Sequence, residues 1–495
     1  MKQYDVIVIG SGFSGSILSR ILASRGRSVL MLDRGRHPRF AIGESSTPIA
    51  DLLLRRLGER YDFDDLIALS SYGRWQSRFP TLACGKKRGF SYFDHRPGHR
   101  ELVECRPGSR SLLVAASPND EASDTHWYRK DVDAYHFHKA VEAGAHAIEL
   151  INVDAVLPGV DGSQPRVELC DGTTVEADFI VDASGAGAVT AKSLDCTKLT
   201  SQLKTHSCAT FAHFKGVAPF TDVFNRSNAD SRADAPFDSD DAAQHHLIDG
   251  GWVWMLRMNN GVTSVGVTMQ FGDSVESELE SQRRCYDLLD QRLSDYPSLH
   301  RILADASRIE PADDMVCLPR LQRLYDPVIS PSCVMTPTTA TMIDPLHSTG
   351  IAHALAGVDR IADLVIDTGS DRAEAMRSYR DSVLDEAKFI DQIVHMAYQS
   401  MPSFKRFTAA SMVYFAAAIQ CEELIMAGSI PEKLWMAGDS QVQQIVKQCA
   451  EVLQSDVSDC EASDQVRELI APINEVGLMD DQLSNRYAYT ATKTA

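Results

Sequence analysis

Three glycines carry the most legible chemistry in the chain. The N-terminal stretch YDVIVIG-SGFSG (Tyr4–Gly15) sets Gly10, Gly12 and Gly15 in the pattern GxGxxG, with Ser11, Phe13 and Ser14 between them. Where a strand ends and a helix begins, such a loop accepts a pyrophosphate. The first glycine makes the turn, the second lets the phosphate approach the backbone, and the third lets helix and strand pack closely. The phosphate then meets unpaired N–H groups and the positive end of a helix dipole. Asp33 ends the next apolar run, SVLMLD, eighteen residues after Gly15, where it can accept from a ribose hydroxyl. A second stretch suited to an anion is DPLHSTG (Asp344–Gly350). Ser348, Thr349 and Gly350 fall where a helix starts, so their amides can cradle an anion; an ordinary Ser/Thr N-cap reads the same way. The third candidate is a cation, Lys86 or Lys87, in GKKRGFSYF (Gly85–Phe93). On one continuous strand Lys87 shares a face with Gly89, Ser91 and Phe93, and Lys86 with Arg88, Phe90 and Tyr92. Only one of the two lysines can then enter a given cavity.

The elements that must position these residues follow from periodicity. Tyr4–Gly10 is β-branched and apolar, as a strand buried in a parallel sheet should be. Arg34–Pro48 has Gly, Pro and Ser without helical period and reads as a long loop; Ile49, Leu52, Leu53 and Leu57 then mark a helix. His126–Ala145 reads as a strand end and a helix, with Asp131 as its cap and Gly144 at its C-terminus. Val175–Gly185 (VEADFIVDASG) is a buried strand running into a glycine turn. Ala218–Gln244, rich in Asp, Asn, Ser and Ala, reads as a surface loop. Gly251–Met258 and Val262–Gln270, joined by Asn259-Asn260-Gly261, form a hairpin with Trp252 and Trp254 on one side. Residues 275–305 have helical spacing, Cys333–Asp367 reads strand–loop–helix, and the remainder is helical.

Composition narrows the function classes. A chain of 495 residues exceeds one simple core, and 44% apolar with 24% charged residues is globular. A net charge of −19 disfavours nucleic acid and anionic membrane as partners. Eleven cysteines, an odd number without CxxC or Cys/His ligand spacing, imply free thiols in a reducing cytoplasm and no metal site. With Asp5 inside any would-be signal core no secretory signal is expected, and the apolar run Met412–Ile419 is too short for a membrane span.

Together these segments resemble the flavin-dependent halogenases, over roughly residues 4–365. The carriers are GSGFSG with Asp33, PRFAIGES (Pro38–Ser45), Tyr128-Arg129 with Asp133, VDASG (Val181–Gly185), and Trp252-Val253-Trp254, which is similar to the family's WxWxIP. The last segment reads Met255, Leu256 and Arg257 where that signature ends, without its proline. DPLHSTG resembles the family's halide loop, and Lys87, in Lys-x-Gly, is similar in position to its catalytic lysine; Lys86 is the competing choice.

The resemblance implies an α/β fold: a Rossmann-like FAD-binding domain with an inserted antiparallel substrate-binding sheet, para-hydroxybenzoate-hydroxylase-like, and a C-terminal helical region. The expected boundaries are 1–200 with 330–367 for the FAD domain, 201–329 with about 80–125 for the substrate-side sheet, and 368–495 for the helices. It implies FAD contacts from Gly10, Gly12, Phe13, Ser14, Gly15, Asp33, Arg129, Asp182 and Asp344. Ser348, Thr349 and Gly350 would bind chloride or bromide, Lys87 would be catalytic, and Trp252, Trp254 and His347 would stand on the substrate side.

The implied reaction uses FADH2 from a separate flavin reductase, with O2 and halide. Hypohalous acid formed there would meet Lys87 and halogenate a small aromatic substrate. Two departures stand out. Where many relatives carry Gly-Asp-Ala, this chain reads Met335-Thr336-Pro337-Thr338, so flavin contacts there must differ. Where the tryptophan halogenases carry glutamate before Ser-Thr-Gly, His347 stands, pointing to a phenol whose proton His347 either accepts or does not touch. An FAD aromatic monooxygenase, or a flavin-binding protein without catalysis, are the alternatives.

Overall fold

The strand Gln3–Ile9 lies between two parallel neighbours, Val29–Asp33 and Thr174–Asp182. Its Val6, Ile7 and Val8 are buried on both faces, which is why the run shows no polar alternation. The sheet extends in parallel to His146–Glu149 on one side and Cys333–Met335 on the other, with Val328–Ser330 antiparallel at the edge. The computed structural model describes residues 3–159, 163–194, 196–224, 235–272, 288–367 and 371–488.

The glycine loop emerges at the C-terminal ends of these strands, where open α/β sheets bind ligands. Gly10 has φ +101°, and a Cβ there would lie 2.4 Å from the Ala183 carbonyl oxygen. A Cβ on Gly15 would lie 2.1 Å from the Gly10 carbonyl oxygen. At Gly12 the nearest atom is 3.7 Å away, on Asp133. The fold therefore requires Gly10 and Gly15, whereas Gly12 is free of steric demand from the protein itself.

A nine-stranded second sheet runs Ser307–Glu310, Ser207–Lys215, Val262–Gln270, Gly251–Arg257, Ala243–Ile248, Gly89–Asp94, Ser111–Ala115 and Arg486–Tyr487, with Val316–Leu318 also on Ser207–Lys215. It is antiparallel except at two joints, Ala243–Ile248 with Gly89–Asp94 and Ser111–Ala115 with Arg486–Tyr487. The Trp hairpin forms as expected, with Trp252 opposite Thr268 and Trp254 opposite Gly266. Its two indoles are 5.9 Å apart on one face.

Several sequence expectations are corrected. Gly85–Phe93 is two strands: Cys84–Lys87 pairs with Asp124–Trp127 in its own ribbon, and Gly89–Asp94 joins the large sheet. Between them Arg88 donates its N–H to Asp241 O (2.7 Å) and accepts at its carbonyl from Ala116 N (2.8 Å), handing the chain from one sheet to the other. Asp131 does not cap its helix; Arg129–Glu142 starts after Tyr128, and Asp131 lies in the first turn, where its charge suits the dipole.

Ala218–Gln244 is not simply a loop. Phe220 and Phe224, four apart, lie on a short helix and pack on Phe93 at 4.4 and 5.4 Å, while Gln244 is in a strand. Residues 225–234 of that stretch lie outside the described residues, as do 275–287 of the stretch 275–305; within the latter Leu288–Asp295 and Pro297–Leu303 are helical.

The C-terminal helices include Arg372–Ser400 and Phe404–Met426. The latter is long and apolar enough to cross a membrane, and 78% of its apolar window is buried inside the protein, as in a core helix. Arg486–Tyr487 is a strand in a region expected to be helical. Among the described residues nine cysteines carry no disulfide, but Cys317 is disulfide-bonded, against the all-thiol expectation.

The glycine geometry gives a direct test. Gly15→Ala should destabilise the protein by at least about 3 kcal/mol in urea unfolding, or prevent its accumulation. Gly12→Val should unfold within about 1 kcal/mol of wild type, yet lose FAD affinity by about 100-fold or more in fluorescence titration, because its side chain points where a pyrophosphate must lie.

Candidate active site

The loop after the first strand presents a helix N-terminus whose cap residue, Gly12, makes no side-chain cap. The first-turn amides are thus left for a ligand rather than for the chain. Asp33 sits at the end of its strand as expected, but it is already engaged. It accepts from Ser11 N (2.8 Å), Ser11 Oγ (2.7 Å), Gly35 N (2.7 Å) and Arg39 Nη2 (3.0 Å). Burial pushes its pKa up; the Arg39 charge and the Ser11 and Gly35 donors outweigh that and hold it below the usual carboxylate range. A ribose hydroxyl must share this carboxylate with Arg39.

Arg129 closes the crevice from the next helix. Its guanidinium pairs with both oxygens of Asp133 (2.7 and 2.8 Å), donates to Ile42 O (2.7 Å) and Gly43 O (3.1 Å), and lies over the Phe13 ring. Asp182 is nearby but spent: its fully buried carboxylate accepts from Ser184 N (2.9 Å) and Thr190 N (2.7 Å), shaping the second glycine turn. Where relatives carry Gly-Asp-Ala, Pro337–Ala340 forms a helical turn whose Thr339 Oγ1 accepts from Gly185 N (3.0 Å). The uncapped helix start, the space at Gly12 and the nearby Arg129 fit a dinucleotide such as FAD.

The Asp344–Gly350 loop is anchored from beneath. Asp344 accepts from Ser207 Oγ (2.8 Å), Tyr398 OH (3.0 Å) and Leu346 N (3.1 Å). Burial dominates and pushes its pKa up to about 6, although those donors pull it down. Asp344 therefore holds the loop from within the core rather than facing a crevice. Tyr398 OH also accepts from Trp252 Nε1 (3.1 Å), which ties the Trp hairpin to this loop.

The helix begins at Gly350, and Thr349 provides no side-chain cap. Of the three amides expected to cradle an anion, that of Ser348 is committed to Pro345 O (3.0 Å), with Ser348 at φ +55°. The amides of Thr349 and Gly350, at the start of the seventeen-residue helix, are the pair that make no hydrogen bond among the described residues.

Lys87 is fully buried. Its ammonium donates to the Ser46 carbonyl and lies 3.9 Å from the centre of the Phe90 ring. Strand parity had put Lys87 opposite Phe90; the break at Arg88 brings them to the same side, while Phe93 joins a separate core with Phe220. Directly across the ladder from Lys87 is Asp124, also fully buried, and directly opposed side chains share a face. His126 and His245 are held neutral around it, with pKa values of about 3, by burial first and by the Lys87 charge second. Lys86 instead faces outward, paired with Asp120 (2.7 Å) and Asp241 (2.8 Å).

A cavity of about 10 Å³, room for a single water, lies on the Phe90 side of this lysine, lined by Thr47, Phe90, Tyr414, Phe415, Ala418 and Glu422 among others. His347 stacks on Tyr414 at 4.3 Å, with Nδ1 3.5 Å from Tyr92 OH. Burial, then His245, lowers its pKa to about 3, so it is a weaker proton acceptor than free histidine. Trp252 reaches the same aromatic stack through His245 (4.9 Å), itself 4.5 Å from Tyr92.

The Pro38–Ser45 loop and the two residues after it join the crevice to the pocket: Ile42 and Gly43 are held by Arg129, Ser46 by Lys87. Between them Glu44 pairs with His213 (2.8 Å), whose other nitrogen meets Glu310 (3.3 Å). Burial would lower the His213 pKa, but the two carboxylates win and raise it. Asp124, Glu422, Tyr414 and His213 were missed by sequence reasoning. They have no motif; Glu422, Tyr414 and His213 stand out only as polar residues inside apolar segments, and Asp124, among Ser123 and Thr125, lacks even that signal.

The Asp344 environment predicts a pH effect. Its folded pKa of about 6 lies above the ordinary 3.8, so the folded state holds its proton more tightly than the unfolded chain. The stability that Asp344 contributes is full below about pH 4 and falls by roughly 1 kcal/mol per pH unit until about pH 6. In urea unfolding, the wild-type minus Asp344→Asn difference should shrink across that window; a flat difference refutes it.

Comparisons with known proteins agree with this geometry. Residues 123–403 match the family model described as "Tryptophan halogenase". The chain is 27% identical over 424 residues to the monodechloroaminopyrrolnitrin halogenase PrnC of Pseudomonas fluorescens, covering 82% of this chain and 70% of that protein. It is 26% identical over 431 residues to the tetracycline 7-halogenase of Kitasatospora aureofaciens, covering 84% and 74%. A crystal structure of the halogenase PltM in complex with phloroglucinol and FAD superimposes with a TM-score of 0.82 at 23% identity, covering 98% of this chain and 99% of that one, a likeness of fold.

Proposed function

The chain belongs to the flavin-dependent halogenases of the tryptophan halogenase family, and on that premise we propose that it halogenates a phenolic ring with chloride or bromide. It is an FAD-dependent halogenating oxidoreductase acting on an aromatic substrate. The observation that carries the finer reading is the buried Lys87 ammonium over the Phe90 ring, in a cluster of aromatic side chains with Tyr92 and Phe415. Support for a phenol comes from His347 in place of a glutamate and from the phloroglucinol bound by PltM.

FAD is assigned to the crevice of Gly10–Gly15, Asp33 and Arg129, and the ring to the aromatic side of Lys87, toward Phe90 and Tyr92. When bound and reduced by a separate flavin reductase, FAD supplies, with O2, the oxidation that converts halide to hypohalous acid. The Thr349 and Gly350 amides hold the halide. Lys87 donates a hydrogen bond to the hypohalous oxygen and polarises its bond to halogen. The ring's π electrons take the halogen, and the departing hydroxide takes a proton from the ammonium to become water. The ring then loses a proton, which restores both its aromaticity and the ammonium. Asp124 stands directly across the ladder from the lysine. His347, held neutral, serves as a wall behind Tyr414.

Lys87→Met should bind FAD and consume O2 with reduced flavin at wild-type levels, while halogenated phenol measured by mass falls at least about 100-fold. Lys86→Met should retain most activity, since its ammonium is spent on surface carboxylates. Halogenation surviving in Lys87→Met overturns the assignment. A hydroxylated, halide-independent product would identify a monooxygenase instead.

A further inference from the structure

We propose that His213 is a positioning residue for Lys87: charged, and clamped between Glu44 and Glu310, it fixes the segment Ile42–Ser46 that joins the flavin crevice to the lysine. Loss of that charge at alkaline pH releases the segment. This rests on the reading above, that FAD lies beside Arg129 and that Lys87 governs the halogen.

Both ring nitrogens of His213 face carboxylates, Nε2 that of Glu44 (2.8 Å) and Nδ1 that of Glu310 (3.3 Å). A carboxylate accepts, and a neutral imidazole has only one N–H to give. Satisfying both partners takes the second proton. The geometry therefore calls for an imidazolium, in a fully buried side chain beside a buried Glu44.

The surroundings favour that state. Glu310 stands across the sheet from His213 at a bulge, and also accepts from Tyr128 OH (3.0 Å) and the Lys130 ammonium. Burial would raise its pKa, but the Lys130, Tyr128 and His213 donors outweigh that and hold it below the usual carboxylate range. Burial, then Glu310, pushes the Tyr128 hydroxyl pKa up, so Tyr128 remains a donor. The groups facing the ring are thus Glu44 from the joining segment and Glu310 from the neighbouring strand, with Tyr128 and Lys130 from the start of the next helix behind Glu310. The Phe40 ring meets the imidazole edge-on at 4.8 Å.

Glu44 is the middle of the joining segment. On its crevice side Arg129 binds Ile42 O (2.7 Å) and Gly43 O (3.1 Å). On its lysine side Ser45 bridges to His126, Ser46 N donates to Thr125 O (3.0 Å), and Ser46 O receives the Lys87 ammonium. The Glu44 side chain ties this segment to the large sheet. A neutral His213 would turn a lone pair toward one of the two carboxylates and leave that carboxylate unpaired in a buried site. Ser46, and the ammonium it holds, would then move relative to the crevice. The folded pKa of His213 is raised above its ordinary 6.5, so the clamp is complete below about pH 6.5 and is lost as pH rises through the folded value.

Glu44→Gln separates this role from simple packing. Its amide can donate to Nε2 of a neutral imidazole whose Nδ1–H goes to Glu310, so the clamp no longer needs the proton. Wild type, Glu44→Gln and His213→Gln are compared from about pH 6 to about pH 9, spanning the expected loss of charge. One reading is amide-exchange protection of residues 42–46 and Trp127, corrected for intrinsic exchange. The other is halogenated product per O2 consumed, with FADH2, bromide and 1,3-dihydroxybenzene. In wild type both should fall together by at least about fivefold as pH rises. In Glu44→Gln protection should stay within about twofold over the range. His213→Gln should sit near the alkaline wild-type level at every pH; if it does not fold, the contrast between wild type and Glu44→Gln decides. Flat protection in wild type, the same fall in Glu44→Gln, or protection that falls without the product ratio overturns the proposal. Wild type whose protection falls as expected but which halogenates nothing at any pH would instead overturn the reading of the reaction and leave the His213 clamp standing.

Discussion

A lysine ammonium with no access to water sets the central constraint on this protein. Burying an unpaired charge costs many kcal/mol, so the surroundings must return what hydration gave. Here that environment comes from separate parts of the chain: the Ser46 carbonyl from the loop before the Pro48 helix, the Phe90 face from the large sheet, and Asp124 from the partner strand. Each must be in place before the charge is tolerable. The two-stranded ribbon, the large sheet and the connecting loop are therefore locked together at one point.

The same loop reaches the dinucleotide crevice. Arg129, itself fixed by Asp133, binds the carbonyls of Ile42 and Gly43, and Glu44 pairs with His213 on the large sheet. A change in either crevice or pocket is thus felt at consecutive residues of a segment with no regular structure to absorb it. On the other flank Trp252, Tyr398, Asp344 and Ser207 form a buried hydrogen-bonded chain that fixes the Asp344–Gly350 loop against the sheet. Buried polar chains of this kind specify one arrangement because every alternative leaves a group unsatisfied.

The missing Gly-Asp-Ala segment has a structural replacement. Pro337 packs on Gly357 so closely that a Cβ there would lie 2.2 Å from Pro337 Cδ, and Thr339 reaches the turn after Asp182. The turn is held by protein contacts where the family pattern would have placed a carboxylate.

The sequence alone determined what depends on neighbours a few residues apart. The strand–loop–helix of Tyr4–Ser24, the Trp hairpin, the helix start at Gly350 and the family they resemble were all legible, because glycine patterns and apolar periods are local physics. The lysine strand was legible only in part. Alternation is a property of an unbroken strand, and nothing local marks Arg88 as the residue where the chain passes between sheets. Only the tertiary structure decided which groups surround the lysine. Asp124 opposes Lys87 through a ladder closed over a long intervening stretch, and Glu422 comes from a helix more than three hundred residues away. It likewise decided that Asp33, Asp182 and Asp344 are occupied by the protein's own donors. A carboxylate's role depends on which donors the fold brings within 3 Å, and sequence spacing carries no record of that.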